Sequence, residues 1–367
     1  MRLLPIEYVK LNQKLGVTLL DRNNNTLLKQ GTVITEKLLD RIRSNGYYSL
    51  YVSDDDVDEL PDELIPAKLK HHLIEELHNL YKSVHFLYRT HKARRATSSH
   101  HMHKLLSRRD KVIGNIVELT DDLIHFLIHH RPEYVELMEL KTLYEYEFQH
   151  SIQVAVLAVL LSVRLKFPIY KIRAIALASL LKDVGEVSIP EEVLNKHGRY
   201  NEKEKELVFQ HPSITYECIH NCSFVNSYTR LICLQHHERL DGSGYPKGLC
   251  DTEIHDLTKV VSIADGFDAL TSDRPFRRAY PQHKALEIME RSLDIEYDRN
   301  MFNVFKSMVA RFPTGSHVAL STYDYAVVVA QSSNPAKPRI SLLNGANTVV
   351  DLTKVPHINI TGLKYTE

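Results

Sequence analysis

The chain's 367 residues are enough for two or three separately cored units, and its 43% hydrophobic and 25% charged content is that of an ordinary globular protein. Lys plus Arg and Asp plus Glu balance at 46 each, which removes the electrostatic case for a nucleic-acid polymer as partner. The four cysteines, Cys218, Cys222, Cys233 and Cys250, fall in one region and suit a reducing compartment better than a disulfide framework.

The opening residues, MRLLPIEYVK, carry Glu7 and lack the apolar core of a secretory signal. Residues 1–65 read as a small α+β accessory module ending in a linker. LGVTLLDRNNNTLLKQGTVIT holds two β-rich runs around Asn23, Asn24 and Asn25, whose side chains tolerate turn conformations. EKLLDRIRSNGYYSLYV then predicts one helix, stopped near Gly46, and a final strand. The acidic stretch DDDVDELPDEL, 54–64, reads as solvated linker, because like charges cannot build a core.

From about 66 to 312 apolar residues recur at three- and four-residue spacing, as in AKLKHHLIEELHNLYKSVHFLY, and predict helices almost throughout. The basic stretch 89–111 carries His100, His101 and His103 with no cysteine or carboxylate among them, so it reads as an exposed helix connection. VAVLAVLLSV, 154–163, stops at Arg164, is too short to span a bilayer, and reads as a helix buried on all sides. No membrane span is expected, and the expected compartment is the cytoplasm. After Pro313, SHVALSTYDYAVVVAQSS, PRISLLNG and NTVVDLTK alternate apolar and polar residues around turn formers, so 313–367 reads as a small β appendage. The fold class is therefore mainly α, a helical bundle with a small α+β module before it and a small β module after it.

Five places in the helical region set histidine or aspartate beside an apolar helix: His150, Asp183, His211, the pair His236–His237, and Asp265. Such groups at the ends of buried helices are costly unless paired or coordinated. Imidazole nitrogen and carboxylate oxygen together form the ligand set of zinc, manganese and non-haem iron. The stretch HHERLDGSGYPKGL, 236–249, adds three glycines within seven residues, a local demand for tight backbone.

The order of these residues resembles the HD-GYP family, a branch of the HD-domain metal-dependent phosphohydrolases. The resemblance is carried by His150, Asp183, His211-Pro212, HHERLDGSGYP at 236–246 and DGFDALTSDRP at 265–275, and covers roughly residues 140–312. It implies an HD-type helical bundle that hydrolyses cyclic di-GMP using two or three divalent transition metals, iron or manganese before zinc, which lower the pKa of water. By the same resemblance the metals share Asp183. His211, His236 and His237 complete one site, and His150, Asp265 and a further histidine complete the other. Tyr245 would reach a phosphate or base, with Gly244 letting the loop pass close to the ligand. Arg274 and Arg277 match basic positions near the phosphates, and Asp268 matches a position near the substrate. The implied partner is cyclic di-GMP or a related dinucleotide, with a protein partner and a homodimer left open.

The match fails at the hallmark. The family reads His-Asp-x-Gly-Lys, whereas this chain reads KDVGE, with Lys182 in place of the histidine ligand and Glu186 in place of the basic residue. A protonated lysine cannot coordinate a cation and repels one. Tyr146 stands where a third-metal glutamate would be, and Phe276 where a tyrosine follows Arg-Pro. The expectation is one ion on Asp183, His211, His236 and His237, with the Lys182 ammonium in the second place, paired with Asp183 and Asp265. Glu186 either pairs with Lys182 or serves as a substitute ligand for a second ion, so Lys182, Asp183 and Glu186 decide catalysis. Two functions follow. One is a catalytically impaired signalling protein that binds cyclic di-GMP or a partner. The other is an active metal-dependent cyclic di-GMP phosphodiesterase with an altered metal site.

Overall fold

A computed structural model describes residues 2–21, 25–53, 64–92, 99–136, 146–196, 198–274, 277–343 and 348–365. The expected Asn23–Asn24 turn, nearly all of the acidic linker, and Phe276 lie outside these residues.

In the N-terminal module, β1 (Arg2–Pro5) pairs antiparallel with β4 (Ser49–Val52), and β2 (Leu19–Leu20) with β3 (Thr26–Leu28). Helix α1 (Glu36–Ser44) starts where the Thr35 hydroxyl accepts the Leu38 N–H. It ends before Gly46, whose φ of +78° is a conformation glycine adopts without strain. Leu39 and Ile42 face inward and close a core with Leu4, Leu15, Leu19, Ile34 and Leu50.

The helical region begins with two long helices, α2 (Ala67–Lys92) and α3 (Ser99–His130), packed on each other. Residues 99–111 are thus helix, not connection. Arg109 shows why: it is buried and donates to the Cys218 carbonyl at 2.6 Å, which ties α3 to the rest of the domain. Helix α4 (Tyr146–Arg164) is the centre of the domain, with fourteen buried residues. It is long and apolar enough by composition to cross a membrane, but it is instead covered by α5 (Ile169–Leu181) and α10 (Asp256–Thr271). Shorter helices complete the bundle: α6 (Glu191–Leu194), α7 (Glu202–Phe209), α8 (His211–Ile219), α9 (Ser227–Gln235), α11 (Gln282–Glu290) and α12 (Arg299–Met308).

The C-terminal strands β5 (His317–Leu320), β6 (Tyr325–Ala330), β7 (Arg339–Leu342), β8 (Val349–Asp351) and β9 (Ile360–Leu363) form one antiparallel sheet in the order β8-β7-β6-β5-β9. Val318, Ala326, Val328 and Ile340 alternate inward with Phe312 and Leu352 as a third core.

Candidate functional site

The ligand-type residues come from helix ends that converge on one point. His150 sits in the first turns of α4, Lys182 caps α5, and Asp183 opens the 3-10 turn Val184–Ser188. His211 is the first residue of α8, and His236 caps α9. Asp265 and Asp268 lie three apart on α10, so both face α4. Every one of these side chains is buried.

Two groups result, both using Asp183. In the first, Asp183, His211, His236 and His237 bring their ligand atoms within 4.8 Å of one another. The His211 Nδ1–H donates to the Val208 carbonyl at 2.7 Å, and the His236 Nδ1–H to the Cys233 carbonyl at 2.9 Å. A carbonyl only accepts, so Nδ1 carries a proton on each ring, and Nε2 is the atom that a neutral ring leaves with a lone pair. Those two Nε2 atoms lie 3.4 Å apart and 3.7 and 3.3 Å from Asp183 Oδ1. With the rings neutral, these three acceptors converge as a site that could hold a cation. Burial, followed by the neighbouring His236, pushes His211 down to about 4, and burial with His236 and His211 holds His237 well below its ordinary range. These imidazoles are neutral, as ligation requires. The donor set fits one divalent transition metal.

The second group is His150, Asp183 and Asp265, and there the residues do not fit a metal. The Lys182 ammonium is inside it, 2.7 Å from Asp265 Oδ1, 3.1 Å from His150 Nε2 and hydrogen-bonded to Asp183 Oδ2. Its protons face the carboxylates of Asp183 and Asp265, with the His150 ring beside them. His150 Nδ1 lies 2.7 Å from Asp268 Oδ2 and its Nε2 3.0 Å from Asp265 Oδ1, so the imidazole is held between two carboxylates. Burial alone would lower the Lys182 pKa and raise those of the aspartates. The mutual charges outweigh it: Lys182 is raised, and Asp183 and Asp265 lie well below the ordinary carboxylate range. Glu186 makes no ion pair with Lys182. It lines the cavity beside Glu147, and burial followed by the Asp183 charge raises the pKa of both carboxyls.

Above the two groups opens a cavity of about 300 Å3, walled by Tyr146, Tyr200, Phe209, Tyr245 and Arg274 as well as by the glutamates. Arg274 donates to the Tyr146 hydroxyl at 2.9 Å, and the Tyr146 ring stacks on His150. Tyr245 is sandwiched between Phe209, ring centroids 4.0 Å apart, and His237, 4.6 Å apart.

Three expected ligand contacts are placed differently. Arg277 does not line this cavity. Its guanidinium caps the end of α10, donating to the Leu270 carbonyl at 3.0 Å and to that of Ala269, where helix carbonyls lack partners. Asp268 is fully buried and holds His150 and Ser272, so it orients the imidazole rather than meeting a ligand. Gly244 is required by its own turn: a Cβ there would lie 2.4–2.5 Å from the backbone of residues 237–239.

Two residues escaped the sequence reading. Glu238 is buried and accepts the Lys247 N–H at 2.8 Å and the Leu249 N–H at 2.9 Å, pinning the loop that carries Tyr245. Phe209 gives Tyr245 its stacking partner. The signal for Glu238 was its place directly behind the two histidines, since a carboxylate in a buried helix end needs donors.

Residues 135–301 match the family model described as HD domain. The chain is 32% identical over 236 residues to "Cyclic di-GMP phosphodiesterase PA4108" of Pseudomonas aeruginosa, covering 64% of this chain and 57% of that one. It is 37% identical over 136 residues to "3'3'-cGAMP-specific phosphodiesterase 3" of Vibrio cholerae, covering 37% and 29%. It is 41% identical over 119 residues to "Cyclic di-GMP phosphodiesterase response regulator RpfG" of Xanthomonas campestris pv. campestris, covering 32% and 31%. The chain thus spans between under a third and somewhat over half the length of these relatives. An HD-domain match over helices that bring His150, Asp183, His211, His236, His237 and Asp265 to one point, with the GYP loop above them, places the chain in the HD-GYP family.

Proposed function

We propose that this protein is a cyclic di-GMP signalling protein of the cytoplasm whose HD-GYP domain binds cyclic di-GMP or a related dinucleotide with one metal ion, iron or manganese before zinc, and hydrolyses it weakly or not at all. The observation that carries the reading is Lys182: its ammonium occupies the centre of the second ligand group and pairs with both carboxylates there. The relatives' names supply the ligand class, since they act on cyclic di-GMP or 3'3'-cGAMP. The helical unit, 66–312, would carry the site, with 1–65 and 313–367 as accessory modules.

Asp183, His211, His236 and His237 would hold the ion. When bound, it supplies a Lewis acid that polarises a phosphoryl oxygen and lowers the pKa of water. Arg274, aimed by Tyr146, offers a guanidinium fork to a phosphodiester. Tyr245, its two faces covered by Phe209 and His237, can meet a ligand only with its edge and hydroxyl. Lys182 neutralises Asp183 and Asp265 but has no open position at which water could be activated. Glu147 and Glu186, beside Asp183, favour a second reading, an active phosphodiesterase with an altered metal site in which a glutamate supplies the missing ligand.

The deciding experiment combines elemental analysis with cyclic di-GMP turnover on protein purified without chelator. The proposal expects about one metal per chain, calorimetric binding of cyclic di-GMP that Arg274→Ala weakens, and negligible hydrolysis. Two tightly held ions with steady turnover would establish the second reading.

A further inference from the structure

We propose that a second cavity, where the N-terminal module, the helical domain and the C-terminal sheet meet, binds a small phosphorylated ligand. It encloses about 340 Å3, lined from segments 2–8, 271–273, 278–282, 311–317 and 363–365 and by Ser49, a size within the range of small-molecule sites. Arg2, Arg278, Arg311 and Lys364 line it, against the carboxylates of Glu7 and Asp273. Three of these cations are engaged: Arg278 pairs with Glu7 and lies over the Tyr48 ring at 4.1 Å, Arg2 donates to the Lys364 carbonyl at 2.8 Å, and the Lys364 ammonium lies over the Tyr325 ring at 3.3 Å. Glu7 is 3.7 Å from Arg278 with both side chains about half exposed, and Asp273 accepts the Ala279 N–H at 3.0 Å. Arg311 is half-buried, and its guanidinium has no ion pair or hydrogen bond among the described residues.

A half-buried cation without a partner is unfavourable, and a planar guanidinium fork matches phosphate oxygens. Rings line it as well: Tyr8, stacked on Tyr365 at 5.0 Å, and Tyr280. Cation and ring together suit a phosphate carried on a flat group. The cavity also borders the turn that aims Arg274, because Arg274 and Arg277 exchange backbone hydrogen bonds at 2.8 and 3.1 Å while Asp273 and Arg278 face the junction. A ligand there would sit against the loop serving the first cavity, in a position suited to regulation.

The test is calorimetry on the full chain with GMP, AMP and inorganic phosphate as probes. The double variant Asp183→Asn/Tyr245→Ala, which disables the first cavity, should keep the mononucleotide binding. Arg311→Met should weaken it about tenfold or more, the worth of a charge-assisted hydrogen bond pair, with inorganic phosphate weaker but equally dependent on Arg311. If Arg311→Met does not fold, Arg278→Gln, at a half-exposed position, should produce a smaller loss of the same kind. The proposal is overturned if none of the three probes binds, if binding disappears with the first-cavity variant, or if neither arginine variant changes it. None of these outcomes depends on whether the first cavity hydrolyses anything.

Discussion

The Lys182 ammonium and the Asp265 carboxylate meet at 2.7 Å in a place where both residues are buried. Asp183 accepts a second proton, and His150 Nε2 lies 3.1 Å from the ammonium and 3.0 Å from Asp265 Oδ1. The group is a salt bridge in the protein interior, in which the partners stabilise one another's charge and the loss of one leaves the rest stranded.

Lys182→Met is therefore expected to lower unfolding stability in chelator by about 3–5 kcal/mol, the cost of leaving two buried carboxylates without their cation. Adding Asp265→Asn should recover part of that loss, because the stranded charge is removed. Urea denaturation of the three proteins measures both effects. A single-variant loss under about 1 kcal/mol would mean that the carboxylates find another partner.

Glu238→Ala should detach the loop carrying Tyr245 without touching a ligand atom. Two N–H groups, of the exposed Lys247 and the half-buried Leu249, lose their carboxylate acceptor, at about 1 kcal/mol each. Cyclic di-GMP affinity should fall at least tenfold while the metal content stays unchanged. Parallel loss of metal would show that Glu238 supports the histidines rather than the loop.

His283 sets a pH dependence at the junction of the helical domain and the C-terminal sheet. Its ring stacks on Phe312, its Nδ1 has no hydrogen-bond partner among the described residues, and burial lowers its pKa. The groups facing it are Glu287, which opposes the shift, and Lys284 and Arg311, which favour it. With a folded pKa below the unfolded value near 6.5, His283 contributes stability that is fully present above that value. It is lost as pH falls through the lowered folded value, since the unfolded chain binds the proton more readily. Thermal unfolding followed from pH 7.5 to 5 should show a decline that His283→Phe reduces. An unchanged slope would place the titrating group elsewhere.

Much of this was legible in the sequence, for identifiable reasons. The periodicity of α4 and the polar residues ending apolar helices marked His150, Asp183, His211 and His236, because a buried imidazole or carboxylate needs a reason to be there. Lys182 in the second ligand group could be anticipated from the family resemblance, which puts a histidine ligand at that position, together with the charge of its ammonium. What could not be read was direction. Arg277 is a basic residue beside a phosphate-type site, yet the carbonyls of Ala269 and Leu270, a few residues back along the chain, capture its guanidinium. Gly244 looked like a concession to a ligand and is a concession to its own turn. Strand β1 was missed because it is four residues long, ends in proline, and is defined by pairing with Ser49–Val52, almost fifty residues away.

The last prediction concerns repair. Lys182→His replaces the cation inside the second ligand group with an imidazole, restoring a histidine beside His150, Asp183 and Asp265 while removing the charge that excludes a second ion. Because Glu186 makes no ion pair with Lys182, this single change should already raise metal content from about one towards two per chain. Turnover needs more. Glu186 and Glu147 present carboxyls where a phosphodiester must approach, and Glu186→Lys would turn one of them into a cation suited to the phosphate. The double variant Lys182→His/Glu186→Lys should therefore load two ions and hydrolyse cyclic di-GMP far faster than wild type, while Glu186→Lys alone stays at one ion and low activity. Elemental analysis separates the metal step from the substrate step. If the double variant holds two ions and remains inert, the obstacle lies in the cavity walls at Tyr146 or Phe209. If wild type turns over cyclic di-GMP as fast as the variant, Lys182 is no obstacle to catalysis, and the protein is an active phosphodiesterase.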